Sequence, residues 1–223
     1  MKALPAAMSA AAITFAVGTG SVSAKSAPDD GLYSMYTVDP GGSFLDLTIC
    51  GDFGCAPGID QSFDHVCAIL ESVPKIVGTT MTRDIYILDK RDQASDPMTL
   101  TVFHRVDEAV GGGDKRTFTL TKTITLDING GSGANCKMVE NPKYVYLGTD
   151  LSAHALGIDK KKLKASVAAT GPTTLLSADS RGYISISDTS SGGFKILDPQ
   201  GNTLANGGGS TEQVGDQTAT IFK

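Results

Sequence analysis

The sequence predicts an all-β protein, best drawn as a small β-propeller of four or five blades, and three observations carry that expectation. Short runs rich in Thr, Val, Ile and Tyr are separated by glycine-rich turns, with 26 Gly and no Trp in 223 residues. A unit recurs in the C-terminal half. Lys143-Tyr144-Val145-Tyr146-Leu147 running to Ile158-Asp159-Lys160 is echoed by Gly182-Tyr183-Ile184-Ser185-Ile186 running to Leu197-Asp198-Pro199, with 15 positions from Tyr to Asp in both and 39 between the copies. A period of roughly 40 residues built from short strands is the mark of propeller blades. Finally, Thr117, Thr119, Thr121, Thr123 and Thr125 alternate with Phe118, Leu120, Ile124 and Leu126, which gives a strand one wet and one buried face. The alternative architecture is a β-sandwich in which the repeat is accidental.

Taken in order, residues 1–24 read as an export leader. Lys2 supplies the positive start, Ala3 to Gly18 is mostly apolar, and Val22-Ser23-Ala24 is a small-residue cleavage site. The apolar run is too short for a membrane span and is interrupted by Pro5, Ser9 and Thr14. Cleavage after Ala24 leaves 199 residues, one domain with room for a core, and loss of Lys2 takes the formal charge from −5 to −6. The expected location is the periplasm or the extracellular medium, with no membrane embedding. An acidic chain lacks the electrostatic footprint of a nucleic-acid binder.

Leu32–Val38 and Phe44–Ile49 are strands around Asp39-Pro40-Gly41-Gly42, where Pro presets φ and Gly admits positive φ. Cys50 to Gly58 reads as loop. Phe63, Val66, Cys67 and Leu70 fall at helical spacing, yet Val66 to Leu70 closed by Pro74 would equally make a strand. Ile85–Leu88 is a strand, and Thr99–Val106 with Thr117–Ile128 is a long hairpin turned at Gly111-Gly112-Gly113-Asp114. Inner strands precede the two copies, at Lys137–Val139 and Leu175–Ala178. Thr218–Phe222 is the last strand, placed to pair with the N-terminal blade. The cluster Lys160, Lys161, Lys162 and Lys164 reads as a solvated turn.

From Tyr144 to Leu204 these residues resemble the YVTN-type and related repeats of secreted bacterial β-propellers; the likeness is weaker from Ile85 to Ile128. The resemblance implies fold more than function, since propellers host unrelated chemistries.

Cys50, Cys55, Cys67 and Cys136 are an even set in an exported chain, which predicts two disulfides; three connectivities are open. Cys50, Cys55, His65 and Cys67 would supply a zinc set, but their spacings do not match structural zinc sites. Asp89, Asp92 and Asp96 share a loop without the glycine and terminal Glu of a calcium loop. Gly130 to Asn135 resembles a single calcium-binding repeat unit, too little for a stacked site. Asp150, Asp159, Asp179, Asp188 and Asp198 recur at turns, where Asx side chains bond their own backbone. No G-x-S-x-G, H-E-x-x-H, dinucleotide or Walker motif is present, and no cofactor is predicted.

The expected function is a non-catalytic ligand- or protein-binding module. Tyr144, Asp150, His154, Tyr183 and Asp188 are the candidate contacts for a small-molecule, carbohydrate or peptide ligand, because equivalent loops of a propeller gather on one face. One alternative is a metal-dependent hydrolase or lyase, which requires several of Asp150, His154, Asp179 and Asp188 to converge within metal-ligand reach. Another is a structural envelope or matrix protein.

Overall fold

The structure is a computed structural model that describes residues 22–25, 33–38, 44–51, 54–63, 65–90, 96–110, 113–129, 134–188, 192–214 and 217–222. Most of the leader, the Asp39–Gly42 turn, Asp92, Gly111–Gly112 and Gly130–Gly133 lie outside the described residues. The described residues contain no helix and form four antiparallel sheets.

The first sheet holds β1 (Val22–Lys25), β2 (Tyr33–Val38), β3 (Phe44–Gly51) and β4 (Gly54–Ser62). The second holds β5 (Val66–Glu71), β6 (Lys75–Val77), β7 (Thr80–Asp89), β8 (Pro97–Val110) and β9 (Gly113–Asn129). The third holds β10 (Cys136–Glu140), β11 (Tyr144–Thr149), β12 (His154–Asp159) and β13 (Lys164–Thr170). The fourth holds β14 (Leu175–Ala178), β15 (Ile184–Asp188), β16 (Gly193–Leu197), β17 (Thr203–Val214) and β18 (Gln217–Phe222). Strands follow one another in space as in sequence, except that β6 is a short side arm on β7. Consecutive strands pair antiparallel within each sheet, so each sheet is a meander with local pairing.

Two elements differ from expectation, and one left open between helix and strand is resolved. The Cys50–Gly58 segment is not loop: it supplies the closed end of the β3–β4 hairpin, where Cys50 and Cys55 are register partners. The ambiguous Phe63–Val73 segment resolves as strand β5. Its residues meet cores on both faces, with Ala68, Cys67 and Leu70 on one side and Phe63, Val66 and Ile69 on the other. Apolar residues on both faces, plus a bulge between Val66 and Ala68, imitate helical spacing. Thr218–Phe222 lies within β18, which pairs with β17 of its own sheet. β1 spans the expected cleavage point, so processing after Ala24 would remove three of its four residues.

The sheets pack face to face in chain order. Tyr36, Leu45, Leu47 and Ile59 of the first meet Ile85, Ile87 and Phe103 of the second. The opposite face of the second sheet, with Tyr86, Leu88, Leu100 and Val102, meets Val145, Leu147, Leu156 and Ile158 of the third. Tyr146, Ala155 and Ala168 of the third then meet Leu176, Ile184, Ile186 and Leu197 of the fourth. Side-chain period two explains why β7 is buried at consecutive positions: odd residues serve one core and even residues the next. The first strands adjoin, with β10 against both β5 and β14. Cys67 and Cys136 join β5 to β10 by a disulfide with a Cα separation of 5.8 Å.

The β8–β9 hairpin shows how one alternation serves two cores. Leu100 pairs with Ile124, but Arg105 pairs with Phe118, and the register shifts between Val102 and Phe103. Thr121 is the extra residue, and it moves the even-numbered side chains of β9 from one face of the sheet to the other. Ile124, Leu126 and Ile128 therefore pack toward the third sheet and Phe118 toward the first.

Polar groups are also buried between the first two sheets. Arg105 is fully buried; its Nη1 donates to Ser34 Oγ at 3.1 Å, and its Nε stands 2.8 Å from Asp107 Oδ2, an ion pair without hydrogen-bond alignment. Arg83 Nη1 donates to Glu71 Oε2 at 2.8 Å, and the Tyr36 hydroxyl donates to Glu71 Oε1. Arg116 Nε lies 3.4 Å from Asp107 Oδ1.

Burial raises the Tyr36 phenol well above its ordinary value, aided by the Glu71 carboxylate beside it. Burial likewise raises Tyr86, and it pushes Tyr146 up to about 12. A group whose folded value is raised holds its proton in the fold after the unfolded chain would lose it. Its stabilisation is complete below the ordinary tyrosine value, about 10, and is lost as pH rises beyond it. Alkaline titration followed by tyrosinate absorbance is therefore expected to show a late phase. The late phase, from these three of the six tyrosines, should coincide with loss of the β-sheet circular dichroism signal. Ionisation of all six near the ordinary value with the sheets intact would contradict it.

Candidate functional site

The turns at one end of the third and fourth sheets are built on a single device. Asn141 Oδ1 accepts from the backbone N–H of Lys143 and Tyr144, at 2.9 and 2.7 Å. Asp159 Oδ1 accepts from Lys161 and Lys162, both at 2.9 Å. Asp179 Oδ1 accepts from Arg181 and Tyr183, and Asp198 Oδ1 from Gln200 and Asn202. An Asx side chain that binds its own turn leaves little for a ligand. These bonds hold the three carboxyls below the usual aspartate range: the Lys162 N–H leads for Asp159, the Tyr183 N–H for Asp179 and the Asn202 side chain for Asp198.

The five predicted ligand contacts divide between the two ends of the sheets. Tyr144 and Tyr183 stand at the Asx-turn end. The Tyr144 ring lies 5.7 Å from that of Tyr146 with Lys143 Nζ above it, and it closes on Gly201, where an added Cβ would come within 2.6 Å of the ring. The Tyr183 ring carries the Arg181 guanidinium at 5.0 Å. Asp150, His154 and Asp188 lie at the far end, a strand length or about 17 Å away. Asp150 accepts from the Asn135 backbone and side-chain amides, which lower its carboxyl against the opposing effect of desolvation. His154 opens β12 with its Nε2 buried, and Asp188 closes β15, buried.

Asp179 is at the opposite end from Asp150, His154 and Asp188, so the four do not gather at one place. Among the described residues no three His, Cys, Asp or Glu side chains are grouped to hold a metal ion. Cys67 is committed to its disulfide, which takes it out of the zinc set. Asp89 is buried and accepts from the His65 backbone N–H, so it supports the chain beside it.

What the fold brings together is a polar cleft at the Asx-turn end. It has a volume of about 590 Å³, and its walls come from the second, third and fourth sheets. Ser72, Asp84, His104, Glu140, Lys160 and Arg181 furnish its chemistry. Glu140 is anchored on two sides: Val73 N–H donates to it at 2.7 Å and Lys160 Nζ pairs with it. Arg181 Nη2 lies 3.0 Å from Asp179 Oδ2. Ser72 and Asp84 exchange bonds, Ser72 N–H to Asp84 O and Asp84 N–H to Ser72 Oγ, both at 2.8 Å. His104 Nδ1 is 2.7 Å from Asp84 Oδ1, with the two side chains 43% and 35% exposed. A second groove of about 460 Å³ lies at the far end, between β13 and the fourth sheet, with Asp188 in its wall.

Sequence reasoning missed this cleft. Asp84 and His104 are 20 residues apart and meet only because β7 and β8 pair in the register that sets them opposite each other. Compared with known proteins, the chain matches no family model and no curated protein sequence. Among the described residues no helix is long and apolar enough to cross a membrane.

Proposed function

We propose that the chain is an exported ligand-binding module whose site is the cleft at the Asx-turn end. The observation that supports this reading is convergence: turns of the third and fourth sheets, rigidified by their own side-chain hydrogen bonds, and strands of the second sheet present cationic and anionic groups to one concavity. Preformed walls lower the ordering cost of binding. The mixed charge favours a polar ligand such as an oligosaccharide or a peptide. The face-to-face order of the four sheets and the adjoining first strands support a small propeller, whose blades would open the cleft at one end of the axis. The Cys67–Cys136 bridge fits an oxidising compartment and thus the export reading.

NMR titration with panels of oligosaccharides and peptides tests the proposal. A true ligand shifts the amides of Ser72, Glu140 and Arg181, and Arg181→Ala weakens it at least tenfold. If shifts instead cluster around Asp150 and Asp188, or if Arg181→Ala binds as well as the wild type, the assigned site is wrong.

A further inference from the structure

Asp84 and Tyr86 are two residues apart on β7, and His104 is the register partner of Asp84 on β8. Period two puts all three side chains on the face of the second sheet that looks toward the third. Tyr86 lies under the third sheet, fully buried. Asp84 and His104 come one step later along the same face, where that cover ends and the cleft begins. The trio thus has a buried foot and an accessible head.

Asp84 is engaged through both carboxylate oxygens. Oδ1 meets His104 Nδ1 at 2.7 Å, and the Tyr86 hydroxyl reaches Oδ2 at 3.5 Å. An ionised carboxylate can only accept, so Nδ1 carries the proton, and it is the neutral ring whose Nε2 then offers a lone pair. Burial keeps the Tyr86 phenol protonated, so it acts as a donor to Asp84. The cleft is also lined by the Arg181 guanidinium, from the fourth sheet's turn and paired there with Asp179, and by the exposed Lys75 on β6 beside β7.

We propose that His104, oriented by Asp84 and Tyr86, is a general base for hydrolysis of an anionic carboxylic ester held in the cleft. The inference rests on the cleft reading and adds a reaction to it. His104 is the catalytic residue; Asp84 and Tyr86 are positioning residues. Nε2 takes a proton from water as the water oxygen bonds to the acyl carbon. The tetrahedral adduct then collapses, the carbon–oxygen bond to the alcohol breaks, and the leaving alkoxide takes the proton back from Nε2. Acid and alcohol are released and His104 is neutral again. The competing account is a cross-strand ion pair with no chemistry.

The test uses p-acetoxybenzoate as the anionic probe and p-nitrophenyl acetate as the neutral one, on the full chain and on His104→Gln, Asp84→Asn, Tyr86→Phe and Arg181→Ala. Imidazole nitrogen NMR is recorded in parallel; with three histidines, His104→Gln assigns the signal. The expected result is the Nδ1–H tautomer for His104, with hydrolysis lowered roughly a hundredfold in His104→Gln and at least tenfold in Asp84→Asn. In Asp84→Asn the tautomers should mix and the loss of hydrolysis should fall on kcat with KM unchanged, a split that a merely structural role would not produce. Tyr86→Phe, whose core packing is kept, should give a smaller loss of the same kind. Wild-type hydrolysis no faster than in His104→Gln, or an Nε2–H tautomer, overturns the proposal. Arg181→Ala separates it from the cleft reading: it should raise KM for the anionic ester alone. If hydrolysis depends on His104 but neither saturates nor responds to Arg181→Ala, the base stands and the cleft assignment fails.

Discussion

Arg105→Ala should destabilise the fold by about 3–5 kcal/mol, the range for breaking a buried ion pair on one side. Arg105 is fully buried between the first and second sheets, 2.8 Å from Asp107 and bonded to Ser34 across the interface. Its guanidinium also sits 3.9 Å from Glu71 Oε1 and 6.0 Å from the Phe118 ring centre. Removal takes from the Asp107 carboxylate its nearer cation, leaving it the Arg116 contact in a poorly solvated layer, and weakens the support of Glu71, which must still hold Tyr36 and Arg83. The loss is a large share of the roughly 5–15 kcal/mol that holds a typical domain. Arg105→Met keeps much of the side-chain volume and should fall by nearly as much, because the charge defect remains. The Arg105→Met, Asp107→Leu double variant should recover most of the loss, since replacing both members by apolar groups removes the desolvation cost together with the attraction. Chemical denaturation of the wild type, Arg105→Met, Asp107→Leu and the double variant gives the cycle. A single variant costing less than about 1 kcal/mol would show that the cluster behaves like a surface pair.

The second large effect belongs to the bridge between β5 and β10. Cys67 and Cys136 are 69 residues apart in sequence. Closing a loop of that length restricts the unfolded chain enough to contribute about 4 kcal/mol in the chain-entropy account. The Cys67→Ser, Cys136→Ser double variant should lose that amount, and reduction of the wild type should lose at least as much. The bridge lies beside the core shared by the second and third sheets, where Ala68, Leu147 and Ile158 pack. Its removal should therefore speed exchange of β5 and β10 amides before those of β3. Equal denaturation midpoints with and without the bridge would mean that the unfolded chain is already restricted at these positions.

The candidate site and the turns that build it were legible to different degrees. Asp159, Asp179 and Asp198 announce their turns in the sequence because an Asx side chain bonds to backbone within four residues. That is local chemistry, and the hydrogen bonds appear as expected. The β10–β11 and β14–β15 boundaries also follow from local pattern. By contrast, Tyr144 and Asp150 look like partners along the chain but point to opposite ends of a sheet, since a strand separates them by its own length. His104 and Asp84 look unrelated and are in contact.

The sequence by itself determined the all-β class, most strand positions, the hairpin connections and the Asx turns, because each of these depends on residues within a few positions of one another. The tertiary structure decided which face of each strand is inside. One extra residue, Thr121, moves the even-numbered side chains of β9 from one face of the sheet to the other and lets a single alternation feed two cores. Stacking also decided that β5 is a strand, by burying both its faces and thereby erasing the period that distinguishes strand from helix. Pairing of Cys67 with Cys136, burial of Arg105 and the meeting of Asp84 with His104 arise only when sheets and registers are in place. These contacts depend on distances in space between segments far apart in the chain, and no local preference of the residues encodes them.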